Sequence, residues 1–488
     1  MSSTRRRGDR VIVLHPRDNV EVVLDEGSSL KGHKLARVDI AEGESIVKLG
    51  EIVGMATEPI DSGAHVHSHN VAPDRRLVTA AEAGSNLVAS PDAGARTFDG
   101  YVRSDGRVGT RNHIVVLTTV NCSASVAKVM ARQARESGLA AAVDGISALT
   151  HEGGCGIGVD SASLANLRRT IAGYATHANT GGALILGLGC EINQIQGLLD
   201  EFGLVEGDRL RVMGIQEQGG SSATIASGLA VIGEMVDLAG ADTRTPAPLA
   251  ELALALQCGG SDGYSAITAN PALGYASDLL VAHGGTAVLG ETPEMHGAEH
   301  LLVRRALNTS VAQDLLDRLA WWRQHSEPED NPTPGNKAGG LTTIAEKSLG
   351  SVAKGGTSPL VDVLRYAEPI RRKGFMIMDS PGYDPCSVTG EIASGCNLVC
   401  FTTGRGSVSG FVPAPSIKIA TNTGVFERMR EDMDLNAGTI ASGEESVAEV
   451  GERIFELLLA TASGQQTASE ALGFGEEEFV PWQSGVVT

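Results

Sequence analysis

Cys258 closes the apolar run that begins at Leu252 and opens the polar loop Gly259, Gly260, Ser261, Asp262, Gly263. Cys122 and Cys190 stand in the same way just past apolar runs. The spacing from Cys122 to Cys190 equals that from Cys190 to Cys258, although no sequence repeat accompanies it. A further thiol, Cys155, shares the glycine-rich THEGGCG with His151 and Glu152. Thiolates are soft donors that suit iron, either as a single ion or as a cluster, and imidazole is a common co-ligand. The run HVHSHN presents His65, His67 and His69 on one face of an extended segment. There they can bind a metal, move a proton or grip an anion. Glu291, Glu294 and Glu299 follow a second apolar run. Lys337 lies in a stretch rich in glycine and proline, Lys347 and Lys354 come shortly after it, and Arg405 sits in FTTGRG.

Thiols that follow apolar runs fall at the carboxyl ends of strands, the edge where open α/β sheets bind ligands. The pattern strand, polar loop, helix repeats at least four times between Phe98 and residue 240, which predicts a parallel sheet covered by helices. Residues 10–72 differ. Short apolar runs separated by Glu-Gly turns predict a small β-rich domain. Residues 73–97 read as a linker, 98–245 as a second α/β domain, and 251–488 as a C-terminal α/β domain, with the proline-containing segment 241–250 as the boundary between the last two. In the last domain a helix is expected from about 272 to 283 and a long one from about 298 to 325. Residues 331–340, with two prolines and three glycines, are expected to form neither helix nor central strand.

The bulk composition sets limits. A chain of 488 residues exceeds a single core of roughly 250–300 residues. Aromatic residues make up 4%, so the cores must rest on Ala, Val, Ile and Leu. A net charge of −20 argues against nucleic-acid binding, which needs a concentrated basic face. No apolar run approaches the roughly 18–20 residues of a membrane span, and the basic N-terminal MSSTRRRGDR lacks the apolar segment of a signal peptide. Seven cysteines, an odd number in a long chain, point to reduced thiols and hence to the cytoplasm.

Several long motifs resemble one family in their order: THEGGC, GLGCE, QCGGSDGYSAITANP, ETPEMHGAE, NPTPGNKAGGLTTIAEKSLG, VDVLRYAE, FTTGRG and IKIATN. Together they resemble the altronate and galactarate dehydratases, and HVHSHN resembles the end of that family's SAF-type β domain. The resemblance runs from about residue 10 to 488, with a length and domain order nearer the altronate branch. It implies an SAF-type domain followed by two Rossmann-like α/β domains with largely parallel sheets. It also implies iron-dependent dehydration of a sugar acid to a 2-keto-3-deoxy acid, although some relatives expel sulfite from sulfolactate instead. In ETPEMHGAE, His296 stands where the family has an aromatic residue, which leaves the sugar acid open.

Dehydration of a 2,3-dihydroxy acid removes a weakly acidic C2 proton beside a carboxylate and expels the C3 hydroxyl. The site therefore needs a base, an acid, and cations or a Lewis acid. The residues expected to meet these needs are His65, His67, Glu294, Lys337 and Lys347 for catalysis. Ser261, Asp262, Asn336 and Arg405 are expected to bind substrate. Cys122, Cys155, Cys190, Cys258 and His151 are expected to hold the iron, as mononuclear Fe²⁺ or as an iron–sulfur cluster. The expected partner is a small sugar acid, altronate before galactarate, in a homo-oligomer. A sugar-acid-binding regulatory protein that kept the fold without catalysis is the reading outside enzymes.

Overall fold

The computed structural model describes residues 10–25, 27–74, 78–88, 93–326 and 331–484. The N-terminal domain consists of two small antiparallel sheets. One pairs Val11–Ile12, Val20–Val23, Lys34–Ala36 and His65–Val66, and the other pairs Ser45–Lys48, Glu51–Ala56 and Val71–Ala72. Val20, Ile46, Val53 and Val66 close its interior, which is continuous with the apolar core of the C-terminal domain. The small domain therefore does not stand apart from the rest of the chain. Between the two, Lys34 Nζ and Lys48 Nζ each lie 2.8 Å from a different oxygen of Glu346, and all three side chains are buried.

The second domain carries a four-stranded parallel sheet in the order Gly145–Leu149, His113–Thr118, Thr180–Gly187, Leu210–Gly214. His113–Thr118 is buried along its whole length, as a strand covered on both faces must be. Residues at either end of this domain join in a separate antiparallel sheet. Thr245–Pro248 pairs with Thr97–Val102, which in turn pairs with Val108–Gly109. The proline-containing boundary is thus an edge strand, a position that tolerates proline. The helix Ser221–Gly240 reaches the length and apolar composition of a membrane span, contrary to the sequence expectation. One side of it (Ile232, Met235, Val236 and Ala239) packs into the core of the second domain.

The C-terminal domain is built on seven parallel strands in the order Leu360–Leu364, Gly374–Met378, Thr286–Leu289, Ala253–Cys258, Leu398–Thr403, Ser416–Ala420, Leu435–Asn436. The chain lays down Ala253–Cys258 first, adds three strands on one side, then returns to build on the other. Order therefore reverses at this strand, and ligands of open α/β sheets bind in the crevice outside such a switch point.

Two local expectations are corrected. Residues 331–340 do contain a helix, Pro334–Ala338. Proline occupies its first turn, where no amide donor is needed, and Thr333 and Asn336 cap each other reciprocally. The expected long helix is two, Glu299–Arg304 and Thr309–His325, because Asn308 caps the second by accepting from the amide of Val311.

Candidate active site

Cys258 ends the switch-point strand, and a cavity of about 320 Å³ opens beyond it. The cavity is lined by Cys258 and its loop (Gly259, Gly260, Ser261), by Glu294, Asn331, Asn336 and Lys347, and by Tyr383, Asp384 and Arg405, among others. They come from several separate segments that follow strands of the sheet, which strand order and packing bring to one edge. A Cβ at Gly259 would lie 2.2 Å from Asp384 Oδ2, so only glycine lets that carboxyl sit against the loop.

The floor is crowded with charge. Ligand atoms of Cys258, Glu291 and Glu294 lie within 4.8 Å of one another, and all three residues are buried. Glu291 follows its strand in a left-handed conformation (φ 61°, ψ 59°), held where its amide donates to Ser380 Oγ at 2.7 Å. A non-glycine residue persists there only when its surroundings enforce it, a cost that recurs at functional sites. Lys347 Nζ donates to Glu294 Oε1 at 2.6 Å and to Asn331 Oδ1 at 2.7 Å, and Lys354 Nζ lies 3.0 Å from Cys258 Sγ. Burial works against both ammonium groups. The carboxylates outweigh it at Lys347, and Cys258 and Glu291 outweigh it at Lys354, so both lysines are raised above their ordinary range. Burial, then the charges of Glu294 and Asp384, drives Glu291 well upward, and burial followed by the Glu294 charge lifts Asp384 to about 6.

These groups fit a metal ion. Among the described residues no hydrogen-bond donor reaches either Glu291 oxygen or Glu294 Oε2, although all three atoms are buried. Buried carboxylate oxygens of that kind want a counter-charge, and a thiolate with two carboxylates is a donor set for a divalent transition metal.

The sequence-expected residues separate into groups. Cys258, Glu294, Lys347, Ser261, Asn336 and Arg405 meet at the cavity. Asp262 does not join the cavity lining. It is buried, and its carboxylate accepts from the amides of Tyr264 and Ser265, from Thr421 Oγ1 and from Asn422 Nδ2, which fixes the loop after Cys258. His151 leaves the ligand set, because its Nε2 is 2.9 Å from the Thr118 carbonyl and its Nδ1 accepts from the Gly153 amide. Cys122, Cys155 and Cys190 lie exposed on the second domain, apart from buried Cys258.

His65 and His67 gather with His33 and His69, with ring centroids 5.0–5.6 Å apart. Strand pairing ends at Val66 and a turn follows, so a fold of the chain, together with His33 from another strand end, brings the rings together. His67 Nε2 is 2.9 Å from the Lys337 carbonyl and His33 Nε2 is 3.4 Å from that of Ala338. The histidines thus brace the short helix whose Asn336 lines the cavity, and Lys337 receives them through its backbone. Burial and the neighbouring rings push His33 down to about 4 and His65 to about 3.

Sequence reasoning did not assign Glu291, Lys354, Asp384 or His33 to the site. Lys354 carried a usable signal, since it stands seven residues after Lys347, two helical turns along. Asp384 carried none, because its place depends on tertiary packing.

Three family models cover the chain in order. They are the altronate/galactarate dehydratase SAF domain at residues 28–74, the D-galactarate dehydratase/altronate hydrolase second domain at 100–240, and the D-galactarate/altronate dehydratase C-terminal domain at 249–487. Altronate dehydratase of Bacillus subtilis (strain 168) is 38% identical over 465 residues, covering 93% of this chain and 92% of the relative. The chain belongs to the altronate/galactarate dehydratase family of hydro-lyases. Altronate dehydratase of Escherichia coli (strain K12) is 36% identical over 478 residues, covering 96% of this chain and 94% of that protein. Galactarate dehydratase (L-threo-forming) of the same organism is 34% identical over 491 residues, covering 93% of each. In this dehydratase-family chain the C-terminal match contains the whole cavity lining, and the SAF match contains all four clustered histidines.

Proposed function

We propose that the chain dehydrates a sugar acid, an altronate-like hexonate, to its 2-keto-3-deoxy acid by C2 proton abstraction and loss of the C3 hydroxyl. The observation that carries this reading is the convergence of Asp384, Lys347 and Arg405 around one cavity at the switch point. Arg405 is exposed and no carboxylate of the described residues pairs with it, so its guanidinium fork is available to the substrate carboxylate. Lys347, held cationic by Glu294, faces the negative charge that grows on the carboxylate as the C2 proton leaves. Asp384 takes that proton and delivers it to the departing C3 hydroxyl, so water leaves and the remaining enol becomes the ketone. Ser261 orients a substrate hydroxyl, and Asn336, whose Nδ2 donates to the Ser261 carbonyl, holds that loop in place.

A divalent ion such as Fe²⁺ held by Cys258, Glu291 and Glu294 would supply Lewis acidity to the substrate oxygens. Lys354 Nζ faces the Cys258 sulfur at 3.0 Å, and Tyr383 lines the cavity beside Asp384.

The test is an anaerobic assay of aldonates and aldarates for 2-keto-3-deoxy products. Turnover of altronate is expected, and Asp384→Asn is expected to lower kcat by about 100-fold or more while KM changes little. Turnover of galactarate alone would reassign the substrate. Sulfite release from sulfolactate with no turnover of any sugar acid would overturn the reading.

A further inference from the structure

The loop that carries Asp384 has two sides. Gly382 and Asp384 line the reaction cavity. Pro381 and Cys386 line a second cleft, of about 770 Å³, between the second and C-terminal domains, and Tyr383 lines both spaces. One loop is thus the wall between cavity and cleft, with Tyr383, 55% exposed, on either side of it. Contacts along this wall set the direction in which an acid lies. A Cβ at Gly259 would lie 2.2 Å from Asp384 Oδ2, and a Cβ at the next residue, Gly260, would lie 3.2 Å from Arg405 Cβ. Asp384 therefore stands between Arg405 and its own chain neighbour Tyr383. An acid with its carboxylate on Arg405 and its C2–C3 bond at Asp384 sends C4 and everything beyond toward Tyr383 and the cleft. Nothing beyond C3 takes part in the elimination, so a substituent there leaves the chemistry unchanged.

The cleft is larger than the end of a hexonate requires, and its lining has a definite chemistry. Trp482 stacks on Trp322 with centroids 5.4 Å apart, and Phe479 and Tyr383 extend the aromatic surface. Thr150, Glu152 and Gln483 add a hydroxyl, a carboxylate and an amide, and their side chains make no hydrogen bond among the described residues. The cation of the lining, Lys128, is paired with Glu477 at 2.8 Å, and His151, pushed down to about 4 by burial, is neutral at neutral pH. Among the described residues of the lining no free cation awaits a second carboxylate. Aromatic surface beside free polar groups suits an uncharged sugar ring, whose C–H faces rest on aromatic rings and whose hydroxyls use both donors and acceptors.

We propose that the cleft is a sugar-ring subsite, through which the enzyme also takes aldonic acids that carry a glycosidically linked sugar at C4 or beyond. The inference rests on the reading of the reaction cavity as a sugar-acid site. The aldonate portion occupies that cavity of about 320 Å³, and the attached ring passes Tyr383 and lies against Trp482 and Gln483 in the cleft. Elimination still removes the C2 proton and the C3 hydroxyl as water, and the ring leaves with the 2-keto-3-deoxy product.

The experiment compares gluconate with lactobionate, the same acid bearing a galactosyl ring on C4, and with maltobionate, which bears a glucosyl ring there. Each glycoside differs from gluconate by the ring alone, so the ratio of Kd values on the ferrous-loaded full chain reads the cleft. Trp322 and Trp482 line the cleft and Trp321 is 6.0 Å from Trp482, so tryptophan fluorescence reports binding. At least one glycoside should bind about tenfold more tightly than gluconate, with NMR saturation transfer reaching the protons of its ring. Trp482→Ala should remove that advantage and leave the gluconate Kd unchanged, which shows that the fold is intact. Gln483→Ala, at an exposed position, should weaken glycoside binding by about two- to tenfold without moving the melting temperature. Glycosides that bind no tighter than gluconate, or an advantage that survives Trp482→Ala, would overturn the subsite, and turnover of altronate would then leave the dehydration reading standing. If no sugar acid turns over and the glycosides keep their advantage, the reaction reading falls and the subsite stands.

Discussion

Lys354 Nζ lies 3.0 Å from Cys258 Sγ, and both side chains are buried. The lysine caps the end of the helix Ile344–Ala353, and the thiol ends the switch-point strand. A buried ammonium in that position is tolerated only because Cys258, Glu291 and Glu294 surround it.

Lys354→Met should therefore do more than remove one contact. It leaves the Cys258 sulfur buried without the ammonium it faces, a change that costs about 3–5 kcal/mol when one partner of a buried pair is lost. Urea unfolding of parent and variant measures this directly. A midpoint unchanged within error would mean that the Lys354–Cys258 contact contributes nothing to stability.

Arg405→Ala should raise KM for the sugar acid with a smaller effect on kcat, since the guanidinium binds the substrate carboxylate in ground and transition states alike. A charged hydrogen bond of about 1.5–3 kcal/mol corresponds to a rise of roughly ten- to 150-fold. Steady-state kinetics against substrate concentration reads it. An unaltered KM would remove Arg405 from the binding site.

Glu346→Gln should loosen the N-terminal domain. Lys34 and Lys48 would lose their shared counter-charge while still buried. Limited proteolysis within residues 73–97 should speed up, and the apparent melting temperature should fall. Replacing all three residues with methionine should restore much of the loss, because an apolar trio removes the buried charges altogether. If the triple variant is as labile as the single one, the triad has a role beyond charge compensation.

The histidine cluster makes stability depend on pH with a defined sign. His33, at about 4, and His65, at about 3, bind fewer protons folded than in the unfolded chain, where histidine titrates near 6.5. The folded state gains stability as pH rises through this window. The contribution is complete above about pH 6.5 and is lost as pH falls toward 4. Melting temperatures from pH 7.5 down to 4.5 should decline, and His33→Gln should flatten part of that decline. Parallel curves for parent and variant would show that His33 does not titrate with folding.

Sequence periodicity was enough to establish the parallel sheets, the β-rich N-terminal domain and the thiols at strand ends, because buried parallel strands read as apolar runs and side chains at their ends inherit the sheet's carboxyl edge. The family resemblance and the chemical needs of dehydration brought Cys258, Glu294, Lys347, Asn336 and Arg405 into one candidate set. Only the tertiary structure decided which of the expected residues share a space. Cys258 parts from Cys122, Cys155 and Cys190 because they cap different sheets. Asp262 is consumed by Thr421 and Asn422 from a distant loop, and His151 by backbone on both ring nitrogens. Asp384 and His33 join their clusters through contacts between segments far apart in the chain. Local pattern records which face of an element is apolar, but a carboxyl's partners and proton affinity arise from burial and charges that other segments bring to it.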